Sequence, residues 1–259
     1  MSISFVVEDH VAVITLGGKG TLPWGTKVEE HRLNPATVEG LNQALSQILD
    51  NPTVHALLVT HEGKFFSNGM DLKYIEAHPG KPTQDLQVAV ERLLARILTY
   101  PLPTVAAING HFTAAGAMLG LAFDKRVMRE DKGFFFVPAI DIGLIYSPGQ
   151  TALMRSKTPQ CMHMDMIVFG KRYTAKDLHP LGVVECTSPT DKIKQIGMHL
   201  ASELTLKGKN QLYRQTMHGI KKNLYAEAYA LLTSEKIEGM GFQNVKGVDR
   251  APTPLKSKL

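Results

Sequence analysis

The residues able to carry acid, base or nucleophilic chemistry are few, and most fall in one stretch, PAIDIGLIYSPGQ, Pro138 to Gln150. Its candidates are Asp141, Tyr146 and Ser147. A serine hydroxyl is a very poor base at neutral pH unless a partner takes its proton, and no histidine lies beside Ser147 in the chain. Ala139 has no proton chemistry at all. Asp141 is the nearest acid to Ala139, but side chains two residues apart in extended backbone sit about 7 Å from each other. It either reaches a pocket through an unusual local backbone or makes a structural hydrogen bond to backbone or to Arg126. Glu76, Glu91 and Glu130 lie on helices or turns and can enter a site from another direction, which the sequence alone does not place. His111, after Asn109 and Gly110, either faces a pocket or is structural, and His163 between Met162 and Met164 reads as a helix face. No phosphate loop, metal-ligand spacing or Ser-His-Asp order stands out, so neither a metal nor a cofactor is expected.

Some seventy residues before this stretch lies FFSNGMDL, Phe65 to Leu72, followed by TAAGAMLG, Thr113 to Gly120. Gly69, Ala114, Ala115, Gly116 and Ala117 leave their backbone N–H groups accessible to a ligand, or else let a helix pack closely against a sheet. Asp71 suits a helix N-cap, where a carboxylate meets unsatisfied N–H groups.

These segments need positioning elements. Ile3 to Val7 and Val11 to Leu16 predict a strand hairpin, and GGKGTLPWGTKVEEHR predicts a surface loop with the single tryptophan, Trp24. Asn34 and Pro35 start a helix with Val38, Leu41, Leu45, Ile48 and Leu49 on one face. HALLVT predicts a buried strand ending at FFSNGMDL, and Pro82 to Tyr100 an amphipathic helix. TVAAIN predicts another buried strand, KRVM and FFFV two more, and GLIYSPGQTALM a loop and helix. From Pro189 the pattern is helical, with Ile193, Ile196, Leu200 and Leu204 on one face, and the last twenty residues look poorly ordered.

Composition bounds the remainder. A chain of 259 residues with 44% hydrophobic and 20% charged content is an ordinary globular protein with a substantial core. The net charge of +5 is too mild and scattered for a nucleic-acid surface, yet suits a polyanionic small ligand. Cys161 and Cys186 give no disulfide framework, and no apolar run is long enough to imply a membrane span. The C-terminal Ser257, Lys258 and Leu259 spell a peroxisomal import signal, read by an import receptor, with a related organelle such as a glycosome as the other reading.

FFSNGMDL, PTVAAINGHFTAAGAMLGLAFDKRVM, PAIDIGL and FGKRYTAKDLHPLGVVE stand in the order and spacing of the crotonase, or enoyl-CoA hydratase/isomerase, superfamily. The chain resembles that superfamily from about Ser4 to Leu206, and most of all its monofunctional peroxisomal Δ3,Δ2-enoyl-CoA isomerases. The resemblance implies an α/β fold: a ββα spiral core over 1–200 binding acyl-CoA, and a helical C-terminal region, 201–259, that forms trimers or hexamers. It implies that the N–H groups of Met70 and Ala115 bind the thioester oxygen as an oxyanion hole. It also implies that the turn at Ser67, Asn68 and Gly69 holds the CoA adenine, with His31, Arg32, Lys64 and Lys73 as candidates near the phosphates.

The chain departs from the superfamily where protons move. The two glutamates of the hydratases correspond to Met118 and Ala139, neither of which can move a proton, so hydration is the least expected activity. Other branches carry an acid four residues after the glycine matching Gly143, at Ser147, and a decarboxylating branch has a tyrosine at Tyr146. The expectation is a 3-enoyl to 2-enoyl acyl-CoA isomerase with its base unassigned, the alternatives being a non-catalytic acyl-CoA binder and a decarboxylase-like enzyme using Tyr146.

Overall fold

The computed structural model describes residues 3–234 and 241–242. In chain order the strands and helices of the first half are β1 (Phe5–Glu8), β2 (Val11–Leu16), α1 (Pro35–Asp50), β3 (Ala56–His61), β4 (Phe65–Ser67), α2 (Leu72–Ala77), α3 (Lys81–Leu98), β5 (Thr104–Ile108), β6 (His111–Thr113) and α4 (Ala115–Ala122). The second half adds β7 (Lys125–Arg129), β8 (Phe135–Phe136), β9 (Leu144–Ile145), α5 (Pro148–Lys157), α6 (Ala175–Leu178), β10 (Cys186–Ser188), α7 (Ile193–Leu204), α8 (Gln211–Leu224), α9 (Ala226–Leu232) and β11 (Gly241–Phe242).

β1 and β2 form the expected antiparallel hairpin, and β2, β3, β5, β7 and β10 continue it as a parallel sheet in that order. β4, β6 and β8 form a second, parallel sheet of three strands. Each pass of the chain therefore lays one strand in the large sheet and the next in the small sheet. β3–β4, β5–β6 and β7–β8 are three such passes, and this is the ββα spiral.

The central strands are buried on both faces, which is why HALLVT and TVAAI read as continuous apolar runs. Ala12, Ile14, Leu57, Val59, Ala106 and Ile108 face the main core, shared with α1 and α3. Val13, Leu58, Val105, Ala107 and Val127 face the other way, onto α7. α7 buries Ile193, Gly197 and Ala201 against the sheet with Ile196 and Leu200 packed beside them, so the predicted face meets the sheet through Ile193, Ile196 and Leu200. Small residues bring the helix close: a Cβ on Gly197 would stand 3.0 Å from Ala107 Cβ and Leu58 Cδ1. FFFV contributes only Phe135–Phe136 to a strand, and the boundary drawn at 200/201 falls within α7.

α9 packs against α5 and α3, and α8 against α9. Among the described residues no helix is long and apolar enough to cross a membrane, and no group of side chains is suited to hold a metal. His163 turns its Nε2 to the Thr158 carbonyl, 3.2 Å away. The C-terminal tripeptide and most of the last twenty residues lie outside the described region.

Candidate active site

The turn after β4 is held almost atom by atom. Gly69 has φ +78°, a region that favours glycine, and lets the chain reverse before α2. Ser67 Oγ donates to the His31 carbonyl at 2.7 Å, and Asn68 N–H donates to the Glu30 carbonyl at 3.0 Å. The Asn68 side chain donates to Glu30 Oε2 and accepts from Thr113 Oγ1, tying the turn to β6. Every carbonyl of residues 68–70 has a partner: Arg32 Nη1 donates to those of Asn68 and Met70, each at 3.1 Å, and Leu33 N–H to that of Gly69 at 2.8 Å. Arg32 in turn is held by Glu30 at 2.6 Å.

Asp71 then starts α2. Its buried carboxylate accepts from Tyr74 N–H, Trp24 Nε1, Thr26 Oγ1 and Asn34 Nδ2 at 3.2, 2.8, 2.5 and 3.2 Å. The N-cap expected of Asp71 is present, and the loop around Trp24 acquires a purpose: the indole packs edge-on to Tyr74 and His78 while its N–H secures the cap.

Carbonyls committed on one side leave the Met70 N–H without an acceptor among the described residues. Ala115 is in the same condition as the first residue of α4, where no intrahelical partner exists and Ala114 offers no side-chain cap. Ala114 holds φ +52°, a conformation costly for alanine, and its N–H is pinned to the Phe136 carbonyl at 3.0 Å. The two turns are in contact. A Cβ on Gly69 would lie 2.8 Å from Ala114 Cβ and 3.2 Å from Ala115 N, and a Cβ on Gly116 would overlap the Ser67 carbonyl. The small residues are thus required by the approach of the two backbone segments.

Met70 and Ala115 line one cavity of about 200 Å³. Leu72, Met118, Phe136, Ile142, Leu144 and Tyr146 make its wall mostly apolar. Two free N–H groups, one at a helix N-terminus, beside an apolar slot can stabilise negative charge developing on a carbonyl oxygen. A larger cleft of about 630 Å³ between α3 and α8, flanked by Arg92, Arg96 and Arg214, contains none of the catalytic or binding candidates read from the sequence.

The proton-carrying candidates fare differently. Ala139 is on the cavity wall, and its N–H donates to Tyr146 Oη at 3.0 Å. Tyr146 lines the cavity, and burial raises its phenol pKa above the ordinary value. Asp141 is exposed in a 3-10 turn, Ile140–Ile142, and does not line the cavity, so the expected approach to the pocket is not made. Nor does it meet Arg126, which is buried and spends its donors on the carbonyls of Val183, Leu121, Phe123 and Asp124. Ser147 also stands off the wall: it is buried as the N-cap of α5, accepting from Gln150 N–H at 3.1 Å. His111 packs between Phe65 and Phe134 outside the cavity, and Glu76 and Glu130 are exposed.

Among the cationic candidates, Arg32 lines the cavity but is committed to the turn. His31 is buried, turns Nδ1 to the Phe65 carbonyl at 2.7 Å, and is held below its ordinary pKa by burial. It is a neutral structural residue and not a surface cation. Lys64 and Lys73 are exposed, Lys73 donating to the Gly25 carbonyl.

Residues 29–247 match the enoyl-CoA hydratase/isomerase family. The chain belongs to that family. Relatives include peroxisomal enoyl-CoA delta isomerase 1 of Arabidopsis thaliana, 32% identical over 69% of this chain and 71% of that protein. Peroxisomal enoyl-CoA delta isomerase 2 of the same plant is 30% identical over 86% of this chain and 92% of its own. Among solved structures, a probable enoyl-CoA hydratase of Mycobacterium tuberculosis superposes with a TM-score of 0.78 at 23% identity, covering 90% of this chain and 92% of that one. That likeness establishes the crotonase fold.

Proposed function

We propose that this protein binds an acyl-CoA thioester and moves a 3-enoyl double bond to the 2-position. The observation that carries this reading is the pair of unpaired N–H groups, Met70 and Ala115, packed side by side on an apolar cavity. Loss of a proton from C2 of a 3-enoyl thioester puts charge on the thioester oxygen, and two fixed donors stabilise the resulting dienolate. The proton returns at C4, leaving the double bond between C2 and C3. The relatives named enoyl-CoA delta isomerases support this choice over hydration, as do Met118 and Ala139, which carry no acid for adding water.

In the same reading the Ser67–Gly69 turn receives the adenine end of CoA, and the exposed Lys64 and Lys73 face its phosphates. Fatty-acid β-oxidation in the peroxisome is the setting, supported by two relatives named peroxisomal and by Ser257, Lys258 and Leu259 as the site for an import receptor. Trimers, single or paired into hexamers, are the assembled form, supported by the exposed Leu212, Ile220 and Leu224 of α8.

A second reading has a specific observation in its favour: among the described residues no carboxylate lines the cavity, as expected of a thioester binder without turnover. Incubating the pure full chain with a 3-enoyl-CoA and following the 2-enoyl product, beside a binding titration of a saturated acyl-CoA, separates the two. Binding with product formation supports the isomerase. Binding alone supports the second reading, and no binding contradicts both.

A further inference from the structure

Two N–H groups can share one oxygen only if the segments that carry them keep a fixed separation. Contact sets its lower limit, since the Gly69 turn already touches Ala114 and Ala115. Contact does not keep the segments from parting. The backbone ladder between β4 and β6 slips in register after Phe65 and reaches only the Ser67–Phe112 pair, one residue short of Asn68 and Thr113. Met70 and Ala115 both lie beyond its end. There a side-chain bond takes over: Thr113 Oγ1 donates to Asn68 Oδ1 at 2.9 Å. The other end of the same amide donates through Nδ2 to Glu30 Oε2 at 3.1 Å, and that oxygen also accepts from Arg32 Nε at 2.6 Å. Arg32 returns to the turn through Nη1, which donates to the Asn68 and Met70 carbonyls.

We propose that Glu30, Asn68 and Thr113 are positioning residues, a side-chain strut that holds the Met70 and Ala115 N–H groups on one thioester oxygen. This role rests on the reading of those two groups as the thioester donors of an isomerase. The strut acts through the donors and not on the reacting carbons. Thr113 is joined directly to Ala114, whose carbonyl shares a rigid peptide plane with the Ala115 N–H. Asn68 is joined to Gly69, whose carbonyl accepts from Leu33 N–H at 2.8 Å and shares a plane with the Met70 N–H. Without the strut the two turns keep their folds and lose their common aim.

The residue types suit the task. Asn68, Thr113 and Arg32 line the same cavity as the donors, and Thr113 is buried. A primary amide accepts from a hydroxyl at one end and donates to a carboxylate at the other, which neither an aspartate nor an apolar side chain at position 68 could do. Burial raises the Glu30 pKa, but the hydrogen bonds from Arg32 and Asn68 and the charges of Arg32 and Lys73 lower it by more, so the carboxyl is held below its ordinary value and stays ionised at neutral pH. Its bonds to Arg32 and Asn68 are therefore charge-assisted, the stronger kind.

The test compares the full chain with Thr113→Val, Thr113→Ser and Glu30→Gln. The infrared carbonyl stretch of a saturated acyl-CoA, isotopically labelled at the thioester carbonyl, is recorded free and bound to each protein, together with its affinity. Donors aimed at the oxygen lower that frequency on binding. Thr113→Val is expected to lose about half or more of the shift with affinity kept within about threefold, and Thr113→Ser, which keeps the hydroxyl, to recover it. Glu30→Gln should show the same loss even if Thr113→Val folds poorly, because its amide offers Arg32 and Asn68 no charged acceptor. In turnover of a 3-enoyl-CoA, kcat should fall about 10-fold or more in Thr113→Val and Glu30→Gln while KM stays within about threefold. An unchanged shift with kcat left within about threefold by both substitutions overturns the strut and leaves the isomerase reading standing. A wild-type shift without turnover, lost in Thr113→Val, supports the strut and overturns the isomerase reading. Binding to the wild type with no shift overturns both, since no donor then reaches the oxygen.

Discussion

At the scale of single residues, the candidate site is marked by small residues where backbone segments meet, and that part of it was legible in the sequence. Gly69, Ala114 and Gly116 are small because two backbone segments touch there, and small residues at fixed spacing are visible in a sequence. The partners that fix the donors' direction, Arg32 on the carbonyls of Asn68 and Met70, were not legible, because a long-range side-chain bond has no local signature. Arg32 and His31 read alike as candidate cations; only burial separates them. A Gly69→Ala substitution should lower isomerase turnover by on the order of 100-fold, since its Cβ would press on Ala114 and Ala115 and displace a donor. Steady-state rates at saturating substrate check this. Glu91 in α3 is buried with Oε1 unpartnered, and Glu91→Gln should act on stability. A glutamate whose folded pKa is raised destabilises the fold once ionised, and that penalty is absent below its unfolded pKa. The variant should therefore be at least as stable as the wild type at neutral pH, with the gain vanishing in acid, as denaturant titrations at several pH values would show.

At the scale of elements, the strands and long helices were legible because each has one dominant period or a continuous apolar run. α7 turns the predicted Ile193, Ile196 and Leu200 to the sheet, while the close approach at Gly197 was not legible, because isoleucine and leucine spacing does not mark a small residue between them. The junction of β3, β5 and β6 carries its own pH dependence. His61 Nε2 accepts the Asn109 N–H at 2.8 Å, and burial lowers its pKa from 6.5 to about 4. Between these values the unfolded chain binds the proton and the native state does not. Stability contributed by neutral His61 is present above pH 6.5 and is lost as pH falls towards 4, by about 3 kcal/mol in all. Unfolding free energies at pH 7 and pH 4 should differ by that much more in the wild type than in His61→Gln, whose side-chain carbonyl can still accept the Asn109 N–H.

At the scale of the whole molecule, the spiral brings residues from the turn after β4, from α4 and from the segment before α5 to one cavity, a convergence that a linear reading reached through resemblance and not through periodicity. Leu212, Ile220 and Leu224 recur at multiples of four along α8 and are exposed in the single chain. The proposed trimer would cover them, and if it does, Ile220→Asp with Leu224→Asp should give monomers by light scattering. The absence of a wall carboxylate among the described residues makes turnover the decisive property of the molecule. The most direct measurement is the conversion of a 3-enoyl-CoA to its 2-enoyl isomer by the pure, full-length chain. Product formation, reduced about 100-fold or more by Gly69→Ala, is the predicted result. Tight acyl-CoA binding with no product at any pH would contradict it and leave a thioester-binding protein in its place.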